Sequence, residues 1–284
     1  MPWTRATRLD DFETAAGAFL RGDVVRNTVP LTVLASLHRS PGRFGDEPPE
    51  LGWWTDPDGA VAGAYLRTPP FPPLLSLMPG EAAAELARLR AAEGLPTPGV
   101  NAMAPVARAF AAEWNRLTGA THGTNDDTHR LYRLEGLIPP DPPAPGRARP
   151  AAEDDRALLV DWIDAFGEEA RAVLGNADRI ADTFIGDGFA LLWEDGGRPV
   201  SLVGWRESVD GMNRIGPVYT PPGSRGRGYA AAATAAASRA VLDSGVEELL
   251  LFTDLANPTS NSLYQRLGYR PLEDALVLRF DPAG

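Results

Sequence analysis

The chain contains no cysteine and no lysine. Without cysteine there is no disulfide framework, no thiolate metal site and no cysteine nucleophile. Every one of the 27 basic residues is therefore arginine, and every lysine-dependent mechanism is excluded. No stretch approaches the roughly 18–20 uninterrupted apolar residues that cross a bilayer. The opening residues Met1–Asp11 mix charged and polar side chains with no apolar stretch, so a secretory signal is not expected there. Neither a membrane span nor a membrane partner is expected, and the cytoplasm is the expected compartment. The three histidines, His38, His122 and His129, fit no metal-ligand spacing, and no metal is expected.

What is present is a composition of the soluble globular kind, 44% hydrophobic and 23% charged over 284 residues, long enough for two ordinary domains. The formal charge of −11 argues against nucleic acid as a partner, because such binding neutralises phosphates with basic side chains. The acidity is uneven. Residues 1–150 hold 15 arginines against 17 acidic residues, and residues 151–284 hold 12 against 21. Such a balance suits a solvated surface and is also compatible with a cationic acceptor such as an amine.

Proline and glycine are densest in the middle. Ile138–Pro150 reads IPPDPPAPGRARP, a composition that suits an extended linker and neither a helix nor an inner strand. A boundary placed there divides the chain into domains 1–146 and 147–284. In the second, helical spacing covers 153–166 and 177–185. Short apolar runs at 189–193, 199–205 and 212–219 are separated by Asp195-Gly196-Gly197 and Asp210-Gly211, turns that favour antiparallel hairpins. An alanine-rich helix over 229–244, a strand at 249–253, a helix at 260–267 and a strand at 275–280 complete it. The first half repeats the order without repeating the residues: helices at 10–21 and 31–38, strands at 51–54, 60–67 and 74–77, a helix at 81–92, then 100–102, 106–117 and 129–134.

The informative stretch is Ile215–Ala230, IGPVYTPPGSRGRGYA. An apolar strand runs into a glycine-rich loop that opens directly into a helix. The first amides of a helix lack internal partners and carry partial positive charge. Glycines let a ligand come close to such amides. Arg225 and Arg227 add charge, so the segment suits a diphosphate. A Gly-Lys-Ser/Thr phosphate loop is ruled out by the missing lysine. A dinucleotide fingerprint is formally present in Gly226-Arg227-Gly228-Tyr229-Ala230-Ala231, but an antiparallel meander precedes it where that fingerprint needs a parallel unit. A third pattern, Arg-x-x-Gly-x-Gly/Ala, is matched by Arg225, Gly228 and Ala230. Downstream lies a strand ending in Asp254, then Asn257-Pro-Thr-Ser-Asn261-Ser-Leu-Tyr264-Gln-Arg-Leu-Gly268-Tyr269.

Together these residues resemble the coenzyme A-binding core of the GNAT superfamily of N-acetyltransferases, across about residues 150–284. The resemblance implies an α+β fold, here two tandem GNAT-like domains, each a mixed, mostly antiparallel sheet flanked by helices. It implies acetyl-CoA as co-substrate and a small-molecule or peptide amine as acceptor. The acetyl group would pass directly between them in a ternary complex, without metal or protein nucleophile. It places the pyrophosphate on the backbone amides from Gly226 through Arg227, Gly228 and Tyr229 to Ala230, with Arg225 beside them as a further coenzyme-binding residue. The main chain of Val218 and Tyr219 would hydrogen-bond the pantetheine arm, Thr220 would also bind the coenzyme, and the thioester would lie between splayed strands 212–219 and 249–253. Asn257 and Asn261 would contact the coenzyme, and Tyr264 would be the acid that protonates the leaving thiolate. Glu207, Asp210 and Asp254 are candidate bases. A non-catalytic acyl-CoA-binding regulatory or scaffold protein is the alternative. The corresponding loop of the first half, Thr68–Gly80, has one glycine and no arginine, so one coenzyme per chain is expected.

Overall fold

In a computed structural model of the chain, described for residues 3–40, 42, 44–121, 126–170 and 175–281, the protein forms two compact units. The first comprises residues 1–130 with 273–284, and the second residues 131–272.

The first unit opens with β1 (Trp3–Ala6), a strand with no counterpart among the sequence expectations, followed by α1 (Leu9–Arg21) and α2 (Thr28–Arg39). Next come β2 (Glu50–Thr55), β3 (Val61–Arg67), β4 (Leu74–Leu75), α3 (Gly80–Ala92), β5 (Gly99–Met103) and α4 (Ala104–Thr118). Strands β1 to β4 pair antiparallel in sequence order, and β4 meets β5 in parallel. The small residues Ala82, Ala83 and Ala87 let α3 pack closely beside Val106 and Phe110 of α4 in one buried core. Beside it, Glu50 bridges two buried arginines, Arg67 and Arg90, the latter at 2.6 Å. Burial alone would push the Glu50 carboxyl up, but the two guanidiniums outweigh it and hold it below the usual carboxylate range.

The second unit contains β7 (Arg147–Pro150), α5 (Arg156–Ala170), α6 (Ala177–Gly186), β8 (Ala190–Asp195), β9 (Arg198–Trp205), β10 (Met212–Tyr219), α7 (Tyr229–Asp243), β11 (Glu248–Asp254) and α8 (Pro258–Arg266). Its strand order is β11-β10-β9-β8-β7. The meander β7 to β10 is antiparallel, whereas β10 and β11 run parallel. The hairpin turns are those expected: Gly196 and Gly197 have φ of 56° and 77°, and Asp210 and Gly211 have 50° and 76°. Two successive left-handed residues match the twist of the strands they join. Ile215, Leu249 and Leu251 pack under Ala233 and Ala237 of α7 in one core cluster. A separate cluster joins Leu159 and Ile163 of α5 to Phe184 of α6 and to Leu192 and Leu202.

The units do not divide where the sequence suggested. The expected cut fell at 146/147, but residues 131–146 belong to the second unit and the chain's end returns to the first. The proline-rich stretch is packed rather than a free linker. Trp193 Nε1 donates to Pro145 O at 2.8 Å, Ile138 N donates to Leu267 O at 3.0 Å, and β7 is the edge strand beside β8. Gly146 is left-handed at φ 102°, and a Cβ there would lie 2.2 Å from Glu194 O. Proline forbids inner-strand pairing yet tolerates an edge. The two remaining strands are each divided. β6 (Asp127–Leu134) crosses from the first unit into the second, and β12 (Tyr269–Arg279) crosses back. Residues 275–279 pair antiparallel with β5, from Ala275↔Met103 to Arg279↔Gly99. Leu276 and Leu278 enter the core of the first unit on alternate positions.

Candidate active site

The site is built where β10 ends. Its parallel ladder with β11 runs from Met212↔Glu248 to Ile215↔Leu251 and stops there. On its other edge the register with β9 shifts between Ile215 and Val218. The interrupting residues are Gly216, at φ 146°, and Pro217, which has no amide to offer a ladder. Sequence therefore terminates the pairing, and this dipeptide is a structural feature of the site that the motif reading passed over. Beyond it, among the described residues, Val218 and Tyr219 pair with Val203 and Leu202 of β9 alone. Ser201 Oγ donates to Tyr219 O at 3.0 Å and meets the Thr220 hydroxyl at 2.8 Å, fixing the end of the strand.

The chain then tightens into a short 3-10 turn over Pro222–Ser224 and reaches α7 through Arg225-Gly226-Arg227-Gly228. Gly226 and Gly228 are left-handed, at φ 75° and 81°. A Cβ on Gly226 would meet nothing within 4 Å, so backbone conformation, not crowding, demands glycine there. Gly228 is the N-cap of α7 and has no side chain to cap it, whereas Asn176 and Asn257 cap α6 and α8 by accepting amides of their own first turns. The first bond of α7 is donated by Ala232 to Gly228 O, at 3.0 Å. The amides of Tyr229, Ala230 and Ala231 precede it and point out of the helix mouth. Residues 225–228 are exposed.

The side chains around this turn are placed less simply than the motif suggested. Arg225 reaches back: its Nη2 pairs with Glu169 Oε2 of α5 at 2.6 Å, its Nε donates to Thr220 O at 2.8 Å, and its guanidinium lies 5.9 Å from the Tyr219 ring centre. Tyr219 OH donates to Glu169 Oε1 at 3.2 Å, and its ring packs 6.0 Å from that of Trp162. Burial, then the neighbouring Glu169 carboxylate, push the Tyr219 phenol up, against the opposing pull of Arg225. Glu169 and Trp162 had no functional signal in sequence, because their partner lies some 50 residues on. Tyr229 is buried, and its hydroxyl donates to Asp195. Its side chain is therefore structural and its amide is the available group.

Tyr264 lies on α8 with 8% of its surface exposed, its ring edge-on to Tyr269 at 6.1 Å. Burial pushes its phenol well above the ordinary tyrosine value, so it holds its proton. Its hydroxyl has no hydrogen-bond partner among the described residues. Asn261 is different. Its amide donates to Asp254 O at 2.9 Å and Asn257 O at 2.7 Å, and its oxygen accepts from Tyr132 OH at 2.8 Å. Gln265 Nε2 donates to the same Tyr132 hydroxyl at 3.1 Å. Asn261 thus ties α8 to the end of β11, and Asn257 caps the helix by accepting Ser260 N at 3.0 Å. Both side chains are engaged by the protein itself. Among the candidate bases, Asp254 accepts Ala256 N at 2.8 Å in a turn, Asp210 sits left-handed in the β9–β10 hairpin, and Glu207 is exposed in the same connection. His38 pairs with Glu13, and His122 lies outside the described residues. Among the described residues no group of three or more histidine, cysteine, aspartate or glutamate side chains is arranged to hold a metal, and no helix is long and apolar enough to cross a membrane.

Comparison with known proteins converges on one fold. A family model described as FR47-like protein matches residues 194–277, the stretch from the end of β8 into β12. A GCN5-related N-acetyltransferase from Sphaerobacter thermophilus superposes with a TM-score of 0.67 at 16% identity, covering 99% of this chain and 96% of that one. A GNAT-family acetyltransferase from Colwellia psychrerythraea gives 0.64 at 12% identity, covering 99% and 100%. A tandem GNAT protein from the clavulanic acid biosynthesis pathway gives 0.58 at 15%, covering 99% of each chain. No protein of curated function matches in sequence. The fold is that of the GNAT superfamily. It is present as a tandem pair, and the FR47-like stretch lies mostly within the second unit and includes its open helix mouth.

Proposed function

We propose that the second unit binds acetyl-CoA and passes its acetyl group directly to an amine. The observation that carries this reading is the uncapped mouth of α7, set just past the point where β10 and β11 cease to pair. The residues present fit a coenzyme: an uncapped helix start, left-handed glycines and a strand edge past the end of the β10–β11 ladder suit a diphosphate followed by a pantetheine arm. The coenzyme supplies an activated thioester.

The remaining chemistry belongs to the chain. The backbone from Gly226 to Ala230 would hold the pyrophosphate, as in the pattern the sequence resembles. The main chain of Val218 and Tyr219 would hold the arm. An amide held in a strand edge can polarise a thioester carbonyl, and a tyrosine that keeps its proton can donate to a departing thiolate. Tyr264 meets that requirement, since its hydroxyl is protonated and has no partner among the described residues. Arg225 contributes through its main chain, its charge being paired with Glu169. The acceptor is a small-molecule or peptide amine, and the second unit serves one coenzyme.

The test is calorimetry with coenzyme A, followed by thiol release from acetyl-CoA across a panel of amines. Binding with a stoichiometry of one and amine-dependent thiol release are expected. Coenzyme binding without release to any amine identifies the non-catalytic acyl-CoA-binding module instead. No coenzyme binding overturns both readings.

A further inference from the structure

Tyr264 stands on a helix that apolar packing alone holds weakly. α8 has nine residues, and Tyr264 is the one buried side chain among them. Leu267, at its C-cap, anchors the far end. A helix of that length has little stability of its own, so its placement depends on tertiary bonds. The Tyr264 hydroxyl supplies none, having no partner among the described residues. Its ring meets the Tyr269 ring edge-on at 6.1 Å, and the Tyr269 hydroxyl bonds Ser238 Oγ of α7 at 2.8 Å. An edge-on ring contact is one point of support and does not by itself fix the rotation of α8 about its axis.

The rotation is fixed by a phenol from another strand. Tyr132, fully buried, lies on the part of β6 that belongs to the second unit. Its hydroxyl sits between two side chains of α8: it donates to Asn261 Oδ1 at 2.8 Å and accepts from Gln265 Nε2 at 3.1 Å. Positions 261 and 265 lie one turn apart on one face of the helix, and 264 is the i+3 neighbour of 261 beside that face. Asn261 carries the constraint further, because its amide donates to Asp254 O at the end of β11 and to Asn257 O at the N-cap. One hydroxyl thus ties β6 to α8 and, through Asn261, to β11. Tyr132 does not relay a proton to Tyr264: its own proton goes to Asn261, and its oxygen accepts from Gln265.

We propose that Tyr132 is a positioning residue for the transfer reaction, holding α8 in the one rotation that keeps the Tyr264 hydroxyl where the departing thiolate forms. The inference rests on the transferase reading and deepens it. Proton donation needs heavy atoms within roughly 2.6–3.2 Å, and a misplacement of about 1 Å can cost about a hundredfold. Because Tyr132 acts through Tyr264, its loss can cost no more than the loss of Tyr264 itself.

The test uses the full chain and follows thiol release from acetyl-CoA with an amine that supports it. Tyr132→Phe keeps the ring and removes both bonds. It should lower kcat about tenfold, and by no more than Tyr264→Phe does, with acceptor KM and coenzyme A affinity within about twofold. In a Tyr264→Phe background the same change should alter kcat by less than about twofold, since the group it positions is gone. An equal fall in both backgrounds, an unchanged kcat, or a loss confined to coenzyme affinity overturns the proposal. Gln265→Ala, at an exposed position, removes one of the two bonds. It should lower kcat about threefold, and it carries the same cycle if Tyr132→Phe does not fold. Amide hydrogen exchange separates the two failures. Without thiol release to any amine the transferase reading falls. Exchange in α8 about tenfold faster in the variant, with α7 unchanged, then leaves the hold on Tyr264 standing, and unchanged exchange overturns that as well.

Discussion

The turns that lead into α3 and into α7 occupy the same place in the order of elements of the two units, each between a strand with a parallel neighbour and the helix that follows it, and they are built differently. Before α7, two left-handed glycines leave the backbone exposed and the helix uncapped. Before α3, the chain closes on itself. Leu77 N donates to the buried Asn27 Oδ1 at 3.0 Å, Ser76 Oγ accepts Ala64 N and donates to Leu77 O, and Asn101 N donates to Pro73 O. The N-cap there is Pro79 in an extended conformation, and Thr68–Gly80 contains neither an arginine nor a second glycine. The same fold thus leaves the turn before α7 open on left-handed glycines in one copy and ties the turn before α3 to Asn27 and Ser76 in the other, although neither helix has a side-chain cap. Fold alone supplies a helix mouth, and a few residues decide whether anything can reach it.

The sharpest way to break that comparison is to close the open turn. Replacing Gly226 and Gly228 together by valine forces β-branched residues into left-handed backbone at a cost of about 1–3 kcal/mol each, so coenzyme affinity should fall about a hundredfold in calorimetry. Unchanged affinity would show that the turn is not the anion site. Next comes the chemistry. Tyr264→Phe should lower kcat for thiol release at least about tenfold with coenzyme affinity unchanged, and an unaltered rate removes Tyr264 from the mechanism. Because burial raises its pKa, the Tyr264 proton is retained up to and beyond the ordinary tyrosine value of about 10. The pH profile of kcat should therefore show no alkaline fall from this group below about pH 10.

The closed turn gives the converse. Asn27→Leu strands the Leu77 amide and should cost about 1–3 kcal/mol of stability in denaturant unfolding, while coenzyme stoichiometry stays at one. A loss of coenzyme binding without a loss of stability would contradict the division of labour. The smallest effect is expected at Glu169. Its pair with Arg225 is about half exposed on both sides, and such pairs contribute little. Glu169→Gln should change coenzyme affinity by no more than about threefold, read from the same calorimetry.

Much of the architecture was legible in advance because it is written locally. The hairpins at Gly196-Gly197 and Asp210-Gly211, the alanine-rich α7 and the glycine turn before it depend on neighbours a few residues away. The side-chain roles were less legible. Asn261 matched a coenzyme contact by position, yet its three hydrogen bonds join Tyr132, Asp254 and Asn257. Arg225 matched a phosphate ligand, yet its charge goes to Glu169. Gly216-Pro217 was readable in principle, since a proline cannot continue a ladder, but only the register with both neighbouring strands shows what its interruption achieves.

Sequence by itself determined the order of the elements apart from the edge strands β1 and β7, and the conformation of the turn before α7, because φ preference and helix periodicity are properties of short segments. Tertiary structure alone decided that residues 273–284 complete the first unit, that 131–146 pack with the second, and that the Tyr132 hydroxyl falls between Asn261 and Gln265. Those outcomes depend on which strand edge and which apolar face are nearest in space. Distance along the chain carries no record of that.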